Sequence, residues 1–315
     1  MPRPSETATE GGTAGLDDER RRLTLLAYRM CGSWADAEDV VQQVYLEWWR
    51  AHESVDNGPG WLTRTTVRRA IDALRARQRD AAYVGPWLPE PVVQEPSDGP
   101  HSAAEQSEAM STAFLLLAES LTPPQRAVVV LRALRYEHAE VADILGISPA
   151  AARQHHVRGL RRLAERDGRA PAVAAIMGPR SEGAQPSDAR DETARLLTAF
   201  LTAARRGDTA ALTALLHEDV RAYNDGGGRT RAARRVVTGG QHVARFVIGV
   251  AGRHEGRRAV RLVTVNGTPG ALVTLADVGH VLSLEVRDGR IYRLFDVCDT
   301  DKLSALRTSA LRGCA

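Results

Sequence analysis

Of the 42 basic residues in this 315-residue chain, Lys302 is the single lysine and the rest are Arg. The bias reads mainly as genome composition, although the planar Arg fork also suits phosphate and guanine contacts. What matters is where the charge clusters. Arg153, Gln154, Arg158, Arg161 and Arg162 recur on one side of a helical pattern, and Arg and Gln are residue types that read base edges. Arg64, Arg68, Arg69, Arg75, Arg77 and Arg79 form a second basic stripe, with Asp72 as its lone acid. Asp36, Glu38 and Asp39 form an acidic group just before it. The segregation suggests two partners, a nucleic-acid backbone and a basic protein surface. For the acidic group a solvated helix face remains open.

Catalytic chemistry is weakly signalled. His217, Asp219, Asp225, His242, Asp277, His280 and Asp296 could serve as general acids or bases. Their spacing brings no two into a recognised pair, and nothing activates a nucleophile. Cys31, Cys298 and Cys314 are odd in number and far apart, which argues against disulfides or a zinc site. No enzyme activity, cofactor or metal is expected, and Cys298 reads as a buried strand residue. No apolar run approaches the ~20 residues that cross a bilayer. A cytoplasmic protein with no membrane partner is expected.

The elements that must carry the basic clusters are helices. In Glu137–Leu163, Val141, Ile144 and Leu145 give one apolar face, and Gly146 supplies a left-handed stop. Ser148 can cap the next helix, with Pro149 at its first position. Ala152, Gly159, Leu160 and Leu163 then turn inward and the Arg face outward. This is a helix-turn-helix pattern, whose second helix enters the major groove; the bland alternative is a helical hairpin with a solvated Arg face. Upstream, Leu23, Leu26, Ala27 and Met30 mark a first helix. Ser33 caps a second with Val40, Val44, Trp48 and Trp49 inward. Asn57-Gly58-Pro59-Gly60 reads as a turn before a third helix from Trp61.

Four prolines within Pro86–Pro96 forbid helix, and Tyr83, Trp87 and Leu88 suggest that this extended segment docks on something. Helical pattern returns from Ala103 to Ser120 and again from Thr122 to Leu134. After a Gly/Pro/Ser-rich stretch come helices at 189–206 and 208–216. Strand patterns follow at 220–223, 234–238, 260–265, 271–275, 281–286 and 291–297, with a helix at 242–250. Asp288-Gly289 reads as a hairpin turn, and Asp225-Gly226-Gly227-Gly228 as a flexible loop. The expected fold is multidomain: two all-α modules, then an α+β cone with room for a pocket. The expected segments are a disordered 1–15, a helical module 16–81, a linker 82–105, a helix-turn-helix module 106–168, a linker 169–187, the cone 188–305 and a tail 306–315.

Residues 25–49, 61–77 and 121–163 together resemble the extracytoplasmic-function sigma factors of bacterial RNA polymerase. The match extends to a subgroup with a fused SnoaL-like, NTF2-like domain. Its signatures are Trp87-Leu88-Pro89-Glu90-Pro91, Asp225-Gly226-Gly227-Gly228 with Arg229 where Lys is common, and Lys302-Leu303 in a tail whose Asp299-Thr300 departs from the usual Asn-Pro. The resemblance implies that Asp36, Glu38, Asp39 and Gln42 dock on the clamp helices of the largest subunit of core RNA polymerase, with the flap region as a further contact. It implies that Asn57 and the helix after it, with Arg64, Arg68, Arg69 and Arg75, open and read the −10 element of promoter DNA. Arg153, Gln154 and Arg158 would read the −35 element, with Arg161 and Arg162 on phosphates. Tyr83, Trp87, Leu88, Pro89, Glu90 and Pro91 would meet Asp225, Gly226, Gly227, Gly228, Lys302 and Leu303 in an intramolecular regulatory contact, with an unidentified small ligand as a further partner. Two rivals stand beside this reading: a polymerase-independent helix-turn-helix regulator, and a cone enzyme tethered to DNA.

Overall fold

The structure, a computed structural model, describes residues 10–77, 83–94, 110–167, 186–253, 258–275, 277–304 and 306. Expectations for 1–9, 95–109, 168–185 and 307–315 lie outside the described residues. The chain divides into two compact units, one of residues 1–81 with 118–177 and one of 82–117 with 178–315. The linker thus belongs with the C-terminal sheet, and the sequence boundary at 106 falls inside that second unit.

In the first unit, α1 (Glu10–Cys31), α2 (Trp34–Ala51) and α3 (Gly58–Arg77) pack on one another. Leu23, Ala27, Met30 and Val44 from α1 and α2 and Val67 and Ala70 from α3 are fully buried in this unit. The Ser33 hydroxyl caps α2 by accepting from Asp36 N at 3.2 Å. Two expectations change here. Asn57–Gly60 is not a free turn: α3 starts at Gly58, and Asn57 Oδ1 accepts from Gly60 N at 3.0 Å, so a helix-start cap explains the same polar cluster. Trp49 is 80% exposed, because one residue is a ~100° turn of helix and Trp48 alone reaches Trp61, 5.5 Å away between ring centroids.

The same unit contains α5 (Pro123–Ala133), α6 (His138–Leu145) and α7 (Pro149–Asp167). Val128, Val129, Val130 and Leu131 are all buried, so α5 is apolar around its circumference. The reason is its place: it packs on α1 and α3 as well as on α6 and α7, and α3 also packs on α6. Glu119 accepts from Arg77 Nη2 at 2.5 Å and also from the buried Arg126, so one carboxylate joins α3 to the start of the second helical group.

The second unit is built on a seven-stranded sheet in the order β1-β4-β5-β6-β7-β2-β3, antiparallel except where β2 meets β7. The strands are β1 (Val93–Gln94), β2 (Leu216–Asp225), β3 (Val237–Thr238), β4 (Arg258–Val265), β5 (Thr268–Leu275), β6 (Val278–Arg287) and β7 (Arg290–Val297). The helices are α4 (Thr112–Ala118), which belongs to this unit as far as Leu117, with α8 (Pro186–Arg206), α9 (Thr209–Leu215) and α10 (Gly240–Gly252). The part of the helix expected from Ala103 that lies before 110 falls outside the described residues; α4 itself is capped by Ser111, which accepts from Phe114 N at 3.3 Å. The strand expected at 234–238 shrinks to Val237–Thr238.

Side chains alternate across the sheet, so each face has its own core. One holds Phe200, Leu212, Ala222, Val243, Val273 and Leu294 under α8–α10. The other holds Leu88, Ala113, Val265, Leu272, Val281, Phe295 and Val297. Linker residues therefore complete the second core. β1, unforeseen in the sequence, pairs Val93 with Val265 and Gln94 with Thr264, covering a sheet edge.

Candidate functional site

The helix-turn-helix is built as its residues require. Gly146 ends α6 at φ +65°, and Ser148 Oγ accepts from Ala151 N at 3.2 Å to start α7. Ala152, Gly159 and Leu163 are buried, while Arg153, Gln154, Arg158, Arg161 and Arg162 are exposed. A Cβ on Gly159 would lie 2.8 Å from Val129 Cγ2, so only glycine lets α7 approach α5 this closely. His156 is half-buried, its Nδ1 3.3 Å from His138 Nε2. It packs beneath the basic face, and His155 is half-buried beside it. Arg161 pairs with Glu165 at 3.0 Å across exposed helix surface, a contact worth under ~1 kcal/mol and easily exchanged.

On α3, Arg64, Arg68 and Arg75 are exposed. Arg69 is held back: its Nε donates to Glu47 Oε1 at 2.6 Å, tying α3 to α2. On α2, Glu38 accepts from Trp34 Nε1 at 3.0 Å, Asp39 and Gln42 are exposed, and Asp36 is half-buried at the helix start.

The most tightly organised cluster lies in the C-terminal unit. Asp225 is 1% exposed at the end of β2. Its carboxylate accepts from Leu88 N at 2.8 Å, Lys302 Nζ at 2.7 Å, Gly227 N at 3.1 Å and the Tyr83 hydroxyl. Lys302 Nζ also donates to Leu88 O at 2.6 Å and lies 4.6 Å from the Trp87 ring centroid and 4.9 Å from that of Tyr83. Buried Pro89 and Pro91 continue the docked segment, with Glu90 half-buried. The Asp-Gly-Gly-Gly stretch is a formed turn, with Thr230 N donating to Gly226 O at 2.9 Å. Gly227 sits at φ +60°, where a Cβ would collide with the Asp299 carboxylate. Gly226 is buried, Gly228 exposed and Leu303 in the linker-side core. Asp299 accepts from Asp301 N at 3.0 Å and from the Tyr83 hydroxyl at 3.2 Å. Burial, then the Asp225 and Asp299 carboxylates, push the Tyr83 phenol well above its ordinary value, so it stays a donor.

Three participants escaped the sequence reading. Asn266 Oδ1 accepts from Val92 N at 3.0 Å, and its Nδ2 donates to Thr112 Oγ1 at 3.0 Å. Asn266-Gly267 is a hairpin dipeptide with both φ positive, a signal available in the sequence. The third is a pairing of two candidates: His280 Nδ1 lies 2.9 Å from Asp296 Oδ1, across β6 and β7. Sixteen residues of separation hid it. Asp219 N donates to His217 Nδ1 at 3.1 Å, a backbone contact, and His242 Nδ1 lies 3.2 Å from Thr238 O. His280, Asp296 and Cys298 bring their ligand-type atoms within 4.8 Å of one another. Burial, then the carboxylates of Asp296, Asp225 and Asp299, push the Cys298 thiol up, which disfavours the thiolate a metal needs. No described helix is long and apolar enough to cross a membrane.

Residues 16–80 match the family Sigma-70 region 2, and residues 111–163 match Sigma-70, region 4. The chain is 34% identical over 298 residues to the ECF RNA polymerase sigma factor SigJ of Mycobacterium tuberculosis, covering 90% of this chain and 91% of that one. It is 27% identical over 299 residues to a probable ECF RNA polymerase sigma factor, SigI, of the same species, covering 91% and 93%. The crystal structure of M. tuberculosis SigJ superposes with a TM-score of 0.73 at 29% identity, covering 93% of this chain and 98% of that one.

Proposed function

Because the chain belongs to the extracytoplasmic-function sigma factor family of bacterial RNA polymerase, we propose that it brings core polymerase to promoters through α2, α3 and α7, under control of its own C-terminal unit. Asp39 and Gln42, with Asp36 and Glu38, meet the clamp helices. Arg64, Arg68 and Arg75, with Asn57 and Arg69, engage the −10 element, and α7 engages the −35 element. The working modules are 16–81, 106–168 and 188–305. The C-terminal unit acts by grip, not catalysis.

One observation carries the regulatory part: α3 packs directly on α5 and α6, so both DNA-facing helical groups are held side by side. The two promoter elements differ by about 25 base pairs in position, roughly 85 Å at ~3.4 Å per pair. Residues 82–117 join the two groups, and fully extended they reach up to roughly 120 Å. Docked on the sheet through Leu88, β1 and Thr112, they reach far less. The linker must therefore leave the sheet, at least in part, before both elements can be read together. Asp225 and Lys302 set how readily it leaves.

The test is transcription in vitro with core polymerase and a cognate promoter, using full-length protein, a form truncated near Gly183, and Trp87→Ala. The expected outcome is that the two altered forms differ from full length in the same direction. Equal output from all three would end the regulatory reading. Failure of Asp39→Arg to weaken co-purification with core polymerase would end the docking assignment.

A further inference from the structure

The sheet face opposite the linker forms, with α8 and α10, a cavity of about 500 Å³. Its walls are mainly apolar, with Phe200, Leu201, Phe246, Val247, Leu275 and Leu282 among the lining residues; Thr198, Thr202 and the exposed Arg205 of α8 also line it. Val260 and Leu262 line it too, and they are 52% and 46% exposed, which places them at its opening. Against this apolar wall stand three polar side chains from adjoining strands. Asn224 of β2 is the register partner of Asp296 of β7, which in turn faces Leu282 of β6. His280 lies two residues from Leu282, on the same face of β6.

The polar groups differ in how they are satisfied. His280 Nδ1 lies 2.9 Å from one Asp296 oxygen and 3.2 Å from the other, which leaves Nε2 as the ring's remaining polar atom. Asn224 is 3% exposed, and its Nδ2 has no hydrogen-bond partner among the described residues. A buried amide donor without an acceptor is costly, and such groups concentrate where something else is meant to bind. The volume falls within the range of small-molecule sites, and an apolar wall with a few convergent polar groups is their usual make-up. The Asp296 carboxylate beside the donors disfavours an anion at that end of the cavity, and the lining cation, Arg205 of α8, is exposed to solvent, which screens it.

We propose that this cavity binds a small, uncharged, mainly apolar molecule whose single carbonyl oxygen accepts from Asn224 Nδ2 and lies beside His280. The binding is non-covalent. The site goes beyond the polymerase role and does not depend on it. Asn224 and the linker anchor Asp225 are consecutive on β2 and project to opposite faces, so occupant and linker share one strand end.

The experiment uses the full-length protein and the fluorescent ketone 6-propionyl-2-dimethylaminonaphthalene. Saturable, blue-shifted emission is expected. Val247→Trp, which fills the cavity, and Asn224→Leu, which removes the donor, are each expected to weaken binding roughly tenfold, with melting curves confirming that both variants fold. On the unaltered protein, 2-acetylnaphthalene should displace the probe roughly tenfold better than 2-isopropylnaphthalene, which has its shape but no acceptor. Absence of saturable binding would overturn the proposal. So would equal displacement by the two naphthalenes, a comparison that needs no variant. No polymerase is present, so failure here leaves the transcription reading untouched.

Discussion

Lys302 and Asp225 are the two residues on which most of the linker contact converges. Their side chains are 13% and 0% exposed, so each is the other's buried counter-ion. Removing one partner of a buried pair typically costs ~3–5 kcal/mol, far more than the pair contributes over an apolar substitute. Lys302→Met is therefore expected to destabilise the C-terminal unit by about that amount in urea unfolding, and to free the linker. No change in midpoint would show that Asp225 is satisfied by its backbone donors and Tyr83 alone. The histidine pair behaves differently. Burial first, then the partner ring and neighbouring Arg132, lowers the His156 value, and burial with Arg132 and Arg153 lowers that of His138, against the opposing pull of Glu137. A depressed folded value means stability that is complete above the unfolded histidine range and is lost as pH falls through it. Melting of the helical unit should therefore drop between about pH 7 and pH 5, and less steeply in His156→Leu.

At the scale of elements, the proposed function assigns two kinds of work to the exposed basic residues of α7. Residues that read base edges discriminate by ~1–3 kcal/mol per good contact, whereas phosphate contacts weaken all sequences alike. Arg153→Ala should accordingly lower affinity for a cognate −35 duplex and relax its sequence preference. Arg162→Ala should lower affinity uniformly and reduce the salt slope by about one. Filter-binding titrations at several salt concentrations separate the two; a salt-only effect from Arg153→Ala would move that residue to the backbone. β1 shows how much an element owes to its surroundings. Two residues of an extended, proline-bounded segment count as a strand only because β4 offers an open edge.

At the scale of the whole molecule, each unit contains parts from distant stretches of the chain. The helical unit closes through Arg77, which meets both Glu119 and the Cys31 carbonyl, the latter at 2.9 Å. Arg126 keeps Glu119 paired if Arg77 is lost, so Arg77→Ala loosens the contact between helical groups without stranding a buried charge. The expected result is higher transcription in vitro from full-length protein and a drop of only a few degrees in helical-unit melting. Unchanged transcription would mean that packing of α3 on α5 and α6 is held by its apolar contacts alone.

What the sequence determined by itself was local. Helical period, the Ser33 and Ser148 caps, the Gly146 stop and the Asp288-Gly289 turn all depend on neighbours within a few residues, and each forms where its chemistry requires. So does the inward and outward sorting of α7, because a 3.6-residue repeat leaves little choice. The motif residues of linker, turn and tail could be singled out, but not the bonds among them. Only the tertiary structure decided that Asp225 is buried under Leu88 and Lys302, that His280 meets Asp296, that Asn224 is left with an unused donor, and that Val93 becomes part of a sheet. Those facts depend on strand register and on which segment covers which face, and they join residues from 16 to more than 200 positions apart. Register is set by the sum of weak preferences along whole strands, so no short stretch of residues encodes it.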